Sequence, residues 1–213
     1  MTNTITLWGA GTLRAHRVHW ALHELNLDYR CEPIQSRSGE TLTATYTALN
    51  PKQKIPFLQD GEFGLSESAA ILNYLFASYG DAAEVYLPQT EQQRARSDEW
   101  CYFIMTELDA HSLYIIRRHG DLSAIYGEAP VAVASAEQYF LKQMAAVAPR
   151  IEAADPYLFG DRLGVADILL TTCLDWALMC DFFIDAGCHT YRERTTARPA
   201  YAASLAANAV AGN

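Results

Sequence analysis

Ile5-Thr6-Leu7-Trp8-Gly9-Ala10-Gly11-Thr12-Leu13-Arg14-Ala15-His16-Arg17-Val18-His19-Trp20-Ala21-Leu22-His23-Glu24-Leu25 changes its hydrophobic period half-way along. Its first four residues read as a short strand ended by Gly9 and Gly11. From Arg14 onward Val18, Ala21, Leu22 and Leu25 recur at helical intervals, which predicts an amphipathic helix. The next stretch repeats the change of period. Residues 29–34 read as a second strand, and a polar loop at 36–40 leads into a short helix before Asn50-Pro51. Residues 55–59 and 63–65 read as strands joined at Asp60-Gly61, a dipeptide that signals a hairpin turn. Residues 67–79 close the block as a helix with Ile71, Leu72, Leu75 and Tyr79 on one side. The predicted order is βαβαββα.

Beyond that block the pattern is only helical. Helices are expected at about 90–118, 130–154 and 165–181, with an alanine-rich end after Pro199. The expected class is α+β: a sheet domain over residues 1–80, a linker over 81–89, and an all-helical bundle over 90–213.

Composition excludes several kinds of function. The 213 residues are 50% hydrophobic and 19% charged, too apolar and too weakly charged for a disordered chain. A net charge of −9 argues against nucleic acid, whose phosphates call for a basic face. The best apolar stretch, residues 165–184, is broken by Asp167, Asp175 and Asp181, so no membrane span is expected. The start, residues 1–11, has no basic segment and is not expected to be a signal peptide. The five cysteines are scattered, odd in number and without a C-x-x-C. That usage suits reduced thiols in the cytoplasm, and neither a disulfide framework nor a metal site is expected.

Three motifs occur in order: Leu7-Trp8-Gly9 with Arg17-Val18-His19-Trp20-Ala21-Leu22 and Glu24-Leu25, then Asn50-Pro51-Lys52-Gln53-Lys54-Ile55-Pro56, then Leu65-Ser66-Glu67-Ser68-Ala69-Ala70-Ile71 with Tyr74-Leu75. A fourth, Gly164-Val165-Ala166-Asp167-Ile168, follows in the helical part. In this order they resemble the cytosolic glutathione transferase superfamily. The resemblance implies a thioredoxin-like first domain and glutathione as co-substrate. It further implies thiolate addition to a small hydrophobic electrophile, with detoxification as the role, and a homodimer.

Thr12 lies between strand and helix, where a hydroxyl commonly caps the first turn by accepting a backbone N–H. The same place is electropositive and suits an anion. By resemblance, Thr12 matches the catalytic Ser of the theta, delta and zeta classes and would donate to the glutathione thiolate. Arg14 or a backbone N–H of the turn is the alternative donor. No cysteine lies in this turn, and Trp8 stands where many relatives carry Tyr, so disulfide-exchange and tyrosine-dependent mechanisms lack their donor.

The resemblance assigns the other binding residues as well. It implies a cis Ile55-Pro56 bond whose preceding backbone pairs with the ligand's cysteinyl unit as a strand would. Gln53, with Lys54 or Arg14, would meet the glycyl carboxylate, while Lys52 reads either as a solvated loop residue or as a further cation for that anion. Glu67 and Ser68 open a helix and would hold the γ-glutamyl end. In the helical domain, Met105, His111 and Tyr114 would line the second-substrate pocket together with Trp8. Asp167 would cap its helix, with half of the capping box missing at Gly164. Two other readings share this first site: a non-catalytic glutathione-binding scaffold, and a glutathione-dependent isomerase or ether-cleaving enzyme.

Overall fold

The structure, a computed structural model, describes residues 4–210. It divides into two compact units, one of residues up to Leu87 together with Thr196 onward, the other Pro88–Thr195.

The first unit is built on a four-stranded sheet. Its strands are β1 (Ile5–Trp8), β2 (Tyr29–Glu32), β3 (Phe57–Asp60) and β4 (Phe63–Ser66), in the order β2-β1-β3-β4. β1 runs parallel to β2 and antiparallel to β3, and β3 runs antiparallel to β4. The period-2 reading of β1 holds: Ile5 and Leu7 are buried while Thr6 and Trp8 are half-buried. The predicted Asp60-Gly61 hairpin forms with Asp60 opposite Phe63, and Gly61 takes the positive φ of 60° that its turn requires. β1 has the predicted bounds and β4 runs one residue further, while the other two strands differ from the sequence reading. β2 stops at Glu32, and β3 starts only after Pro56, which has no N–H to give a ladder.

Among the described residues four α-helices complete this unit: α1 (Leu13–Glu24), α2 (Ala44–Leu49), α3 (Ser68–Tyr79) and α10 (Pro199–Asn208). α1 packs against α3 on one side and α10 on the other. Covered from both sides, it buries every residue from Ala15 to Leu22, including His16, Arg17 and His19. Burial lowers the pKa of His16 and of His19 to about 4, so both are neutral at pH 7. The alanine-rich end expected after Pro199 is therefore part of the first unit and not of the helical bundle, where the expected boundary of 90–213 puts it.

The second unit is all helical: α4 (Glu91–Phe103), α5 (Tyr114–His119), α6 (Ser123–Tyr126), α7 (Pro130–Glu152), α8 (Val165–Met179) and α9 (Ala186–Thr196). Thr90 and Gln93 form a complete capping box at the start of α4. The long helix expected over 90–118 is interrupted, because Ile104–Leu113 widens to a π-helix between α4 and α5. α8 is the core of the unit and is buried from Val165 to Ala177. At its start Asp167 takes the place of a full box. Its Oδ2 accepts the Gly164 N–H at 2.7 Å, and its Oδ1 accepts the Leu158 N–H at 2.9 Å and the Tyr191 hydroxyl. Gly164 has no side chain to return a bond, so three donors onto one buried carboxylate stand in for the missing half.

Candidate functional site

Strand register brings three separate segments to one end of the sheet. Trp8 at the end of β1 lies opposite Phe57 at the start of β3, which lies opposite Ser66 at the end of β4. The turn leading out of β1, the turn leading into β3 and the residues following β4 therefore emerge side by side. α1 and α3, each 12 residues long, also begin at this end. Two helix N-termini with unsatisfied N–H groups favour an anion there.

Thr12 is the N-cap of α1, with extended φ and ψ of −130° and 152°. Its Oγ1 accepts the Ala15 N–H at 3.1 Å, and the residue is half-buried. Accepting that bond uses the oxygen and leaves the hydroxyl proton available to another acceptor. Arg14 is half-buried in the first turn of the same helix. The two turns are pressed together at Gly9, which has φ of 119°. A β-carbon there would lie 2.6 Å from Cβ of Ile55, so only glycine lets the segments meet.

The Ile55-Pro56 bond is cis. The turn before it is held from behind: the carbonyl of Lys54 accepts the Tyr46 hydroxyl at 2.6 Å and the Asn50 amide at 2.8 Å. The Lys54 residue is exposed. Gln53 takes a positive φ of 54° and donates its Nε2 to Thr47 at 3.0 Å. Trp8 is turned toward this layer, its ring 5.9 Å from that of Tyr46 and its Nε1 donating to Gln59 at 3.4 Å.

Glu67 stands before α3 and not inside it, with φ of 75° and ψ of 113°. That left-handed φ is unusual for a non-glycine residue and marks a segment held in place by its surroundings. Ser68 follows, buried, with its Oγ accepting from Nη1 of Arg17 at 3.4 Å.

Two residues outside the expected binding set belong to this end. Arg17 is fully buried behind Ser68 and adds a cation beneath the start of α3. It lies four residues before Ala21 on the apolar stripe of α1, so a charge on the buried face was its signal. Lys52, open to reading as a solvated loop residue or as a cation for the anion, donates from Nζ to Glu67 at 2.8 Å, with both side chains exposed. Strand pairing creates that contact across 15 residues, and no local pattern announces it.

In the second unit Met105 and Tyr114 are half-buried, at the start of the π-helix and just after its end. His111 is exposed, with Nδ1 3.7 Å from the carboxylate of Glu107, which also accepts the Tyr139 hydroxyl. A 420 Å³ cavity in this unit, lined by His119, Ser123, Glu128, Pro130 and Val133 among others, holds none of the expected site residues.

Known proteins resemble the chain along most of its length. The family described as Glutathione S-transferase, N-terminal domain, matches residues 3–77, and its C-terminal domain counterpart matches 103–199. Glutathione S-transferase theta-1 of Bos taurus is 27% identical over 170 residues, 79% of this chain and 68% of that one. Theta-1 of Rattus norvegicus is 37% identical over 83 residues, a stretch spanning only 34% of that relative. Among solved structures, a glutathione transferase from Methylococcus capsulatus is 28% identical with a TM-score of 0.79, covering 96% of this chain and 98% of that one. The theta class glutathione S-transferase from Xanthomonas axonopodis pv. citri, solved with glutathione bound, is 25% identical with a TM-score of 0.78, covering 95% and 97%.

Proposed function

The chain belongs to the cytosolic glutathione transferase superfamily, and on that premise we propose that it binds glutathione at the sheet end bearing Thr12, ionises its thiol and adds the thiolate to a hydrophobic electrophile. The observation that carries this reading is the convergence of the Thr12 turn, the cis Ile55-Pro56 turn and the start of α3 at one end of the sheet. The backbone of Ile55 pairs with the cysteinyl unit. Gln53, Lys54 and Arg14 serve the glycyl carboxylate, and Glu67 and Ser68 serve the γ-glutamyl group. Buried Arg17 and the N-terminus of α3 give that carboxylate its positive surroundings in a chain of net charge −9.

Magnitudes make a general base unnecessary. A free thiol has a pKa of about 8.5, and lowering it by two units takes about 2.7 kcal/mol of preference for the thiolate. One hydrogen bond to a charged group supplies about 1.5–3 kcal/mol, and a helix terminus adds about 0.3–1 more. The Thr12 hydroxyl and the start of α1 together reach that sum. The thiol proton leaves to solvent. The sulfur lone pair then forms the new bond to carbon, and with an aryl halide the halide departs with its electron pair.

On this reading the protein works as a homodimer in the cytoplasm. Phe63, exposed on the edge strand β4 with its ring 4.9 Å from Tyr74, supports an apolar surface that a partner copy would cover. Free cysteines at all five positions suit a reducing compartment. Titration calorimetry with glutathione, run beside turnover of a generic aryl halide, tests the proposal. Tight binding with turnover is expected. Binding without turnover across a broad electrophile panel would favour the non-catalytic scaffold, and absence of binding would contradict both.

A further inference from the structure

α10 and α1 meet in a ladder of four rungs. Arg198, the N-cap of α10, places Nε and Nη2 on the two carboxylate oxygens of Glu24, each at 2.7 Å. One turn along, the rings of Tyr201 and Trp20 meet edge to face, 4.9 Å apart. Next, Ser204 Oγ lies 2.9 Å from Nε2 of His16, both buried. Residues 24, 20 and 16 descend α1 in steps of four while 198, 201 and 204 climb α10 in steps of three, so the two stripes run antiparallel.

The fourth rung falls on Asn208 and the turn at Gly11-Thr12. The Gly11 N–H donates to the main-chain oxygen of Asn208 at 2.9 Å and to its Oδ1 at 3.1 Å. In return Asn208 Nδ2 donates to the carbonyl of Thr12 at 3.3 Å. The peptide group before Gly11 and the one after Thr12 are thereby both held, which brackets the φ and ψ of these two residues, and those angles set the direction in which the Thr12 hydroxyl leaves the chain. Val210 adds to the closure, since a β-carbon at Gly11 would lie 3.3 Å from its Cγ2.

We propose that Asn208 is a positioning residue for thiol activation: it holds the Gly11-Thr12 turn so that the Thr12 hydroxyl points at the bound sulfur. This rests on the reading of Thr12 given above. It makes the last helix part of the active-site machinery, although that helix lies more than a hundred residues beyond the rest of its unit. Asn208 touches no reacting atom and acts only through Thr12. Losing its side chain loosens the turn without removing any contact to glutathione, so the effect falls on the thiolate and not on affinity.

A double-mutant cycle tests this with Asn208→Ala, Thr12→Val and the pair, reading the pKa of bound glutathione by thiolate absorbance, kcat and KM for glutathione, and the thermal midpoint. Asn208→Ala is expected to raise the thiol pKa by about half a unit to one unit and lower kcat below that pKa by about 3- to 10-fold, the equivalent of one neutral hydrogen bond. KM for glutathione stays within about two-fold. In the Thr12→Val background the same substitution leaves the pKa unchanged, because the group it positions is gone. A lower thermal midpoint with unchanged pKa and kcat would show only a structural contact and overturn the proposal. An equal pKa shift with and without the Thr12 hydroxyl would overturn it too. If Thr12→Val alone leaves the pKa in place, the reading of Thr12 fails first, and this proposal falls with it.

Discussion

The N–H of Ala15 donates to Oγ1 of Thr12 at 3.1 Å, so the hydroxyl that caps α1 is also the one set beside the helix N-terminus with a proton to give. Capping and anion stabilisation do not compete here. The cap uses the oxygen as an acceptor and orients it, which leaves the proton for the sulfur anion of the proposed mechanism. A side chain that loses one role therefore loses both, and stability and chemistry must be measured separately.

Ser68 offers a test of recognition apart from chemistry. Its hydroxyl lies at the start of α3 against the buried guanidinium of Arg17. Ser68→Ala is expected to weaken glutathione binding by about 10-fold while leaving kcat near the parent value, since the group it serves is remote from the sulfur. Unchanged affinity by calorimetry would remove Ser68 from the site.

Acid should destabilise the folded chain through the buried histidines of the first unit. His16 and His19 have folded pKa values near 4, lowered first by desolvation, against 6.5 when unfolded. Between those values the unfolded chain binds more protons, so stability is full above about pH 6.5 and falls as pH drops toward 4. Each histidine accounts for up to about 3 kcal/mol. Burial raises Asp167 from 3.8 to about 6, which acts in the opposite sense and offsets roughly one of them. Urea unfolding followed from pH 7 to pH 4.5 should show a falling midpoint. A flat profile would contradict the neutral, buried state of these rings.

Asp167 anchors the second unit through three donors, the N–H groups of Leu158 and Gly164 and the Tyr191 hydroxyl. Asp167→Asn turns one accepting oxygen into a donor that faces another donor. The expected cost is about 3 kcal/mol in denaturant unfolding, the scale of a charge-assisted bond lost together with a buried group left unpaired. Glutathione affinity of the folded fraction should stay at the parent value. A loss under about 0.5 kcal/mol, the level of an ordinary surface change, would show that the carboxylate is not the anchor.

Much of this was legible in the chain, for physical reasons that also set the limits. The strand-to-helix change of period at Gly9–Thr12 and the Asp60-Gly61 turn are local, and the order βαβαββα follows from them. The candidate binding residues were named by resemblance through motifs such as Ile55-Pro56 and Glu67-Ser68, and those motifs fall at a cis bond and at the turn before α3. What depends on distant pairing was not legible. The alanine-rich end of the chain reads as a helix, but nothing in its pattern says that it packs on α1. The π-helix at Ile104–Leu113 is hidden because its wider turns hold an apolar spacing close to that of an α-helix. The Lys52–Glu67 contact exists only because β3 and β4 pair.

The central claim is that the Thr12 hydroxyl stabilises the glutathione thiolate, and the pH–rate profile of Thr12→Val at saturating glutathione, with thiolate absorbance followed in parallel, tests it most directly. The substitution keeps the shape and deletes the donor, at a separately measured cost of about 1 kcal/mol for the lost cap. The account predicts that the pKa of bound glutathione rises toward its solution value of about 8.5 and that attack at neutral pH slows by about 10- to 150-fold, while Thr12→Ser stays near the parent. If both profiles of Thr12→Val coincide with those of the parent, Thr12 is a helix cap alone and the thiolate is held by Arg14 or a backbone N–H of the turn.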